Sequence, residues 1–115
     1  GVRADAVLAD PGIGFGKTVE HNLTILAGIR SMVSALDVPV LVGTSRKRFL
    51  GAIIGAEDPR DREDPTLATT VWSWTQGARV VRVHDVAATR DAIAVWQAMR
   101  GKTMNPTNDI VREVL

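Results

Sequence analysis

Three short segments rich in apolar residues, each followed at once by polar or glycine residues, constrain the fold of this chain more than any other feature of its sequence. They occupy residues 6–9, 39–43 and 79–83 and recur roughly every 35–40 residues. Runs of this length bounded by turn residues are typical of buried strands. Pro39 suits the first position of a strand, where no ladder N–H is needed. The spacing leaves room for one helix between successive strands and so predicts β/α units.

Helical periodicity fills the intervals between these runs. A second helix is predicted to start with Asp64 as N-cap and Pro65 at its first position, and to run to about Gln76. A third covers roughly residues 87–100, and the polar residues 55–64 are predicted to form an exposed loop. The resulting β-α-β-α-β-α order indicates an α/β fold with a parallel sheet covered on both faces. The first helix is predicted to bury one face, formed by Leu23, Leu26, Ile29, Val33 and Leu36.

Composition excludes several classes of function. The net charge of +1 over 115 residues argues against a general nucleic-acid or membrane-surface role, which usually needs a strong basic excess. The chain has no cysteine, which removes disulfides, thiolate chemistry and cysteine zinc sites and suits a reducing compartment such as the cytoplasm. No apolar run approaches the ~20 residues of a membrane span. The chain opens with Gly1 rather than Met, so a targeting segment is left undecided.

Polar groups gather where each of the three predicted strands ends. The carboxyl ends of parallel strands share one face of the sheet, where α/β enzymes build their active sites. Cations and a hydroxyl at such an edge suit a phosphate or carboxylate, so we expect these clusters to converge on an anionic ligand. The residues concerned are Asp10 after the first strand, Ser45, Arg46 and Lys47 after the second, and Arg82, His84 and Asp85 at the third.

Each cluster has a purely structural alternative. Asp10 before a Pro-Gly pair either starts a turn or accepts hydrogen bonds from the N–H groups of a heterocycle. The glycines of residues 12–17 lack the spacing of a dinucleotide loop, and a tight connection with positive φ explains them as well. Phe15 is either a core plug or a stacking wall. A basic run such as residues 45–48 is often a solvated surface patch.

Four further side chains are interpreted as structural: His21, Trp72, Trp74 and Trp96. Trp72 and Trp74 are two positions apart on one helix and so face different sides. We expect one of them to pack on the sheet and the other to meet a partner chain. No metal-ligand spacing and no Gly-x-Ser-x-Gly nucleophile motif is present in the sequence.

Three segments together resemble the dihydropteroate synthase family. Residues 10–17 (Asp-Pro-Gly-Ile-Gly-Phe-Gly-Lys), with His21-Asn22 beyond them, are similar to the family's sixth-strand motif. Residues 39–47, ending in Ser-Arg-Lys and followed by Phe-Leu-Gly at 49–51, resemble its seventh-strand segment. Residues 82–86 (Arg-Val-His-Asp-Val) resemble its eighth-strand motif. The resemblance covers residues 5 to about 100 and implies the last three units of a (β/α)₈ TIM barrel, here incomplete.

The resemblance also implies an activity and roles for these residues. The family joins 4-aminobenzoate to 6-hydroxymethyl-7,8-dihydropterin pyrophosphate in folate synthesis and releases pyrophosphate. By resemblance, the pterin would contact Asp10, Phe15, Gly43 and Lys47, and the aminobenzoate would contact Phe15, Ser45, Arg46 and Lys47. Arg82 and His84 would bind the pyrophosphate and, with Lys47, act in catalysis. Sulfonamides, which compete with aminobenzoate in the family, are expected ligands.

The chain is too short to supply the whole site that the family would use. A complete barrel needs ~250 residues, so residues 1–101 would be its last three units and residues 102–115 a tail with a possible short helix. The Mg²⁺ that assists the reaction would take its ligands from the absent N-terminal half, with none here. We therefore expect this chain alone to be inactive, and its open sheet edges to favour a homodimer or swapped oligomer. The alternative is a non-catalytic paralogue that acts as a ligand-binding or interaction protein.

Overall fold

A computed structural model describes residues 1–102 of the chain. Apart from Lys102, the predicted C-terminal tail lies outside the described residues. The described part contains two strands and five α-helices, with short 3₁₀ turns at Ala4–Ala6 and Pro59–Arg62. In chain order the main elements are α1 (Val19–Ala27), α2 (Ile29–Ala35), β1 (Leu41–Val42), α3 (Arg48–Ile54), α4 (Glu63–Thr75), β2 (Val80–Val81) and α5 (Val86–Met99).

The sheet is parallel, as the β/α order predicts. Leu41 and Val42 of β1 lie opposite Val80 and Val81 of β2. On the other side of β1, Ala9 forms an isolated parallel bridge with Val40. The three predicted strands thus lie in sequence order with the second in the centre. This arrangement is an α/β sheet that does not close on itself within the described residues.

The two outer strands are shorter and more exposed than predicted. In the first, predicted over residues 6–9, Ala6 belongs to the 3₁₀ turn Ala4–Ala6, and only Ala9 pairs with the sheet. Val7 and Leu8 are exposed, as is Val80 of β2, so the prediction of buried outer strands was wrong. The central strand alone has neighbours on both sides, and there Val40 and Val42 are buried. An outer strand of an open sheet has only one such neighbour, which explains the difference.

The first predicted helix is divided at Gly28, whose N–H bonds to the carbonyls of Thr24 and Ile25. Of its predicted apolar face, Leu26 and Ile29 are buried, but Leu23 and Leu36 are exposed. The buried face instead includes Asn22 at 1% exposure, four positions before Leu26. The buried face of the helix is therefore rotated relative to the face predicted from apolar spacing, toward Asn22 and away from Leu23.

The region between the second strand and α4 is more structured than the sequence predicts. Residues 48–54 form an additional helix, α3. The predicted exposed loop contains a 3₁₀ turn, and Arg62 at its end is buried. Helix α4 begins at Glu63, so the prediction of Asp64 as N-cap was wrong. Its end at Thr75 is close to the predicted one, and Gly77 beyond it has a φ of +106°.

Helix α4 packs on the sheet through hydroxyl groups. Its buried residues are Thr66, Thr70 and Ser73. The Thr69 hydroxyl donates to Thr44 Oγ1 just after β1 at 2.8 Å, and Ser73 donates to a carbonyl of its own helix. Trp72 lies on another side of α4, and its Nε1 donates to the Leu26 carbonyl at 2.8 Å. A separate apolar core joins α1, α2 and α3 to the central strand, formed by Ile13, Leu26, Ile29, Val40, Val42, Phe49, Leu50 and Ala78.

Candidate functional site

The structure brings the polar clusters of all three strands to one edge of the sheet, as the sequence predicts. A small cavity of about 190 Å³ opens between the ends of β1 and β2. Three of the groups around it carry or can carry a positive charge, so the cavity suits an anion. Its lining consists of Gly43, Ser45, Lys47, Arg82, Val83 and His84.

Ser45 and His84 join the second and third clusters directly. The Ser45 Oγ lies 2.7 Å from His84 Nδ1 and accepts the backbone N–H of His84 at 3.1 Å. When the hydroxyl donates to Nδ1, the ring carries its proton on Nε2. That tautomer leaves an N–H donor on the imidazole for a ligand anion. Ser45 therefore holds His84 in position through both its ring and its backbone.

Asp10 serves the turn and the site together. Its Oδ1 accepts the Gly12 N–H at 2.8 Å, which closes the turn after the first strand. Its Oδ2 lies 3.7 Å from Arg82 Nη1, so the carboxylate also faces the guanidinium across the sheet. Both interpretations of Asp10 from the sequence are thus compatible with its geometry.

Gly43 makes room for Arg82. A Cβ at Gly43 would lie 2.8 Å from Arg82 Nη2 and 3.1 Å from its Cζ. The space above this glycine is therefore taken by the chain's own guanidinium. The prediction that Gly43 admits a pterin stays a prediction, because a ligand there would have to displace or contact Arg82.

Lys47 connects the second strand to the glycine-rich loop. Its ammonium donates to the Ile13 carbonyl and lies 4.9 Å from the centroid of the Phe15 ring, a cation–π geometry. Burial, followed by repulsion from Arg82, lowers the pKa of the Lys47 ammonium. The Phe15 ring is 67% exposed, so it is no core plug and presents a free aromatic surface beside the cation.

Arg46 lies beside the residues that line the cavity, and its side chain forms an ion pair. Its Nε donates to Glu63 Oε1 at the start of α4. Arg46 is also the one non-glycine residue among the described residues with a positive φ, at +59°. Such a conformation is unfavourable for a residue with a Cβ and needs support from its surroundings.

Sequence reasoning missed the groups that shape the glycine-rich loop. Buried Asn22 accepts the Gly14 N–H through Oδ1 at 2.8 Å, and Lys17 donates to the Gly12 carbonyl at 2.8 Å. The loop glycines at 12, 14 and 16 all have positive φ, which supports the tight-connection interpretation. Asn22 and Lys17 fell within the motif that resembles the family, but nothing in the sequence indicated that their side chains bond to the backbone of this loop. Arg62, which holds the Arg46 backbone, was hidden in a charged run.

The described residues do not suit a magnesium site. Across residues 1–102, no group of three or more His, Cys, Asp or Glu side chains is placed to hold a metal ion. Three of the six residues that line the cavity carry or can carry a positive charge, and cations repel Mg²⁺ and attract phosphate. Within the same residues, no helix is long and apolar enough to cross a membrane.

Comparison with known proteins defines the class. The sequence model of a family described as pterin binding enzyme matches residues 1–84. The chain therefore belongs to the pterin-binding enzyme family. This agrees with a parallel α/β sheet whose strand ends carry the polar site.

Within that family the relatives it resembles are dihydropteroate synthases. It is 42% identical over 99 residues to the enzyme of Synechocystis sp., covering 86% of this chain and 34% of the relative. Its structure resembles the synthase of Stenotrophomonas maltophilia with active site-bound imidazole, with a TM-score of 0.85, 43% identity, and coverage of 90% and 39%. It also resembles the Xanthomonas albilineans synthase with 4-aminobenzoic acid, with a TM-score of 0.80, 45% identity, and coverage of 84% and 35%.

The chain thus spans about a third of the length of the curated relatives that it matches. The solved relatives are dihydropteroate synthases with the barrel fold, and the described sheet corresponds to an open part of it. The predictions of the family and of an incomplete barrel are confirmed.

Proposed function

We propose that this chain supplies part of the active site of a dihydropteroate synthase. The reaction joins 4-aminobenzoate to 6-hydroxymethyl-7,8-dihydropterin pyrophosphate and yields 7,8-dihydropteroate and pyrophosphate. The observation that carries the proposal is the convergence of Ser45, Lys47, Arg82 and His84 on one cavity at the strand ends. Relatives are described in complex with 4-aminobenzoic acid and with 7,8-dihydropteroate, which supports both substrate classes.

Arg82 and His84 suit the departing pyrophosphate. Cleavage of the carbon–oxygen bond leaves a pterin methylene cation and places negative charge on the leaving group. Donors fixed before the reaction stabilise such charge without reorganising. Arg82 is held between Gly43 and Asp10, and His84 is fixed by Ser45, so both donors are in place beforehand.

Lys47 and the groups around it suit the two organic substrates. We propose that Asp10 and Lys47 hold the pterin ring, beside Gly43 and the exposed Phe15 ring. Ser45, Arg46, Lys47 and Phe15 would contact the aminobenzoate, with the Lys47 ammonium opposite its carboxylate. A neighbouring anion would raise the lowered pKa of the Lys47 ammonium back toward its ordinary value. The aminobenzoate amine then attacks the methylene directly, so no covalent enzyme intermediate is needed.

Inorganic pyrophosphate tests the anion site of this chain. Isothermal titration calorimetry of the 115-residue chain should show binding, and Arg82→Ala should weaken it by about tenfold or more through loss of a charge-assisted contact. Arg79→Ala is the matched control, because Arg79 is an exposed arginine at the opposite end of the same strand. Equal weakening by both substitutions would show a nonspecific charge effect and count against the site.

This chain alone should lack synthase activity, because it covers about a third of its relatives. Turnover of the pterin pyrophosphate by the pure chain would refute this. Addition of the remaining barrel units of a relative in trans is expected to restore activity. A non-catalytic paralogue, which the similarity to synthases does not favour, would bind ligand in that complex without turnover.

The remaining roles are part of the same proposal. We propose a homodimer or swapped oligomer, supported by the exposed apolar residues Val95 and Met99 on one side of α5. A concentration-independent monomer in light scattering would contradict this. We also propose sulfonamide binding, a cytoplasmic location and assistance by Mg²⁺ held outside this chain.

A further inference from the structure

The backbone of Arg46 is held on both sides by residues at the start of α4. Its N–H donates to Thr66 Oγ1 at 3.0 Å, and its carbonyl accepts from Arg62 Nη1 at 2.9 Å. Its side chain donates to Glu63. Thr66 in turn donates its hydroxyl to the Arg62 carbonyl at 2.6 Å, so the anchors are themselves connected. We call Arg62, Glu63 and Thr66 the Arg46 clamp.

Arg62 is the centre of this clamp. Arg62 is 8% exposed, measured over the whole residue. Within residues 1–102 its side chain forms no ion pair. It donates instead to three backbone carbonyls: Ala56 at 3.0 Å, Glu57 at 2.7 Å and Arg46. A planar guanidinium has N–H donors that can reach three separate carbonyls at once. A lysine ammonium lacks this planar arrangement of donors and cannot replace it. Such a buried cation is retained only where its hydrogen bonds are satisfied.

Gly51 in α3 makes the position of Arg62 possible. A Cβ at this residue would lie 2.4 Å from Arg62 Nε and 2.3 Å from the Ala56 carbonyl oxygen. The glycine that ends the Phe-Leu-Gly segment at residues 49–51, one residue beyond the Ser-Arg-Lys run and Arg48, therefore has a steric role. It leaves the space through which the guanidinium reaches the Arg46 carbonyl.

We propose that the Arg46 clamp positions Ser45 and Lys47 for ligand binding. Arg46 has a positive φ that its own side chain disfavours, so its neighbours keep their directions only while the turn is held. The clamp holds both polar groups of that backbone unit. Ser45 and Lys47 on either side can then reach His84 and the glycine-rich loop. Within residues 1–102, the Arg62 side chain donates its hydrogen bonds to Ala56, Glu57 and Arg46 and to none of the residues that line the small cavity, so it is a positioning residue.

Nuclear magnetic resonance of the 115-residue chain tests this without any ligand. The Lys47 side chain lies over the Phe15 ring, so its terminal methylene protons should show an upfield ring-current shift, assigned by its loss in Lys47→Gln. Arg62→Lys and Thr66→Val should each reduce that shift to near the random-coil value. Thr66→Ser, which keeps the hydroxyl, should retain it.

Arg30→Lys is the matched control. Arg30 also joins two elements through a backbone carbonyl, donating to Thr75 and to the Gln76 side chain at the far end of α4. It should leave the Lys47 shift unchanged even where it lowers stability. An unchanged Lys47 shift in both Arg62→Lys and Thr66→Val would overturn the proposal. Should Arg62→Lys fail to fold, the comparison of Thr66→Val with Thr66→Ser decides.

Ligand binding gives a second readout, which rests on the proposed function. Arg62→Lys should weaken 4-aminobenzoate binding about tenfold or more, since a misplaced Lys47 loses a charge-assisted contact, and Arg30→Lys should not. Failure of the unsubstituted chain to bind 4-aminobenzoate or pyrophosphate would count against the proposed function. The Lys47 shift would still decide on the clamp.

Discussion

Gly51→Ala should destabilise this protein strongly, although alanine is normally favoured inside a helix. Gly51 lies within α3, where the change would by itself contribute about 1 kcal/mol of helix stability. The new methyl group would, however, lie 2.3 Å from the Ala56 carbonyl oxygen and 2.4 Å from Arg62 Nε. The first of these atoms belongs to the backbone. The second belongs to a buried guanidinium that donates three hydrogen bonds, so neither atom can move freely.

The magnitude follows from two costs that exceed this gain. Overpacking a filled site costs about 1–3 kcal/mol. Displacing Arg62 from one of its carbonyls costs about 1.5–3 kcal/mol, as for other hydrogen bonds to charged groups. The net loss in the free energy of unfolding should therefore be about 2–5 kcal/mol, a large part of the 5–15 kcal/mol typical of a domain.

Urea unfolding followed by tryptophan fluorescence measures this loss. Gly28→Ala is the matched control, because a Cβ there meets only the carbonyls of Thr24 at 3.5 Å and Ile25 at 3.7 Å. Its φ of −95° also suits alanine, so it should be neutral or slightly stabilising. If Gly51→Ala proved as stable as Gly28→Ala, the close packing of Arg62 against α3 would be refuted.

Two other predictions concern separate parts of the chain. Burial lowers the pKa of Lys47 from its ordinary value of 10.5, so between the lowered pKa and 10.5 the unfolded chain binds more protons than the folded one. The free energy of unfolding should therefore rise with pH across that window relative to Lys47→Gln, and a pH-independent difference in urea titrations would contradict this. Trp72→Phe should cost about 0.5–1.5 kcal/mol by removing the indole donor from the Leu26 carbonyl. Calorimetric melting checks this, and no fall in Tm would show that water replaces the bond.

The parts of the fold that depend on local signals could be predicted from the sequence. Short apolar runs and turn residues placed the central strand, and the predicted helix ends at about residues 76 and 100 lie close to the observed ends of α4 and α5. The convergence of Asp10, Ser45 and His84 followed from parallel topology alone, because the carboxyl ends of all strands share one edge. The motif resemblance then supplied the family that the comparisons confirm.

Groups that act through the backbone could not be predicted. Arg62 donates to a main-chain carbonyl 16 positions away, and Asn22 accepts a main-chain N–H from eight positions away. Local sequence patterns do not reveal such contacts. The exposure of Val80 was missed for another reason. An apolar strand is buried only where a neighbour covers it, and the sequence of the strand does not contain its neighbour.

The parallel sheet has a consequence for how this site comes into being. Every strand pairing in it joins residues more than 30 positions apart, so the chain cannot form any part of the sheet as a local hairpin. Contacts of such high sequence separation form late and slowly, whereas each helix can form from adjacent residues. The cavity between Ser45 and Arg82 exists only after these strands have paired. The unfolded chain therefore has no comparable binding site for an anion. Ligand binding and folding are then one coupled equilibrium, in which an anion at 100 times its Kd adds about 2.7 kcal/mol to the stability of the sheet.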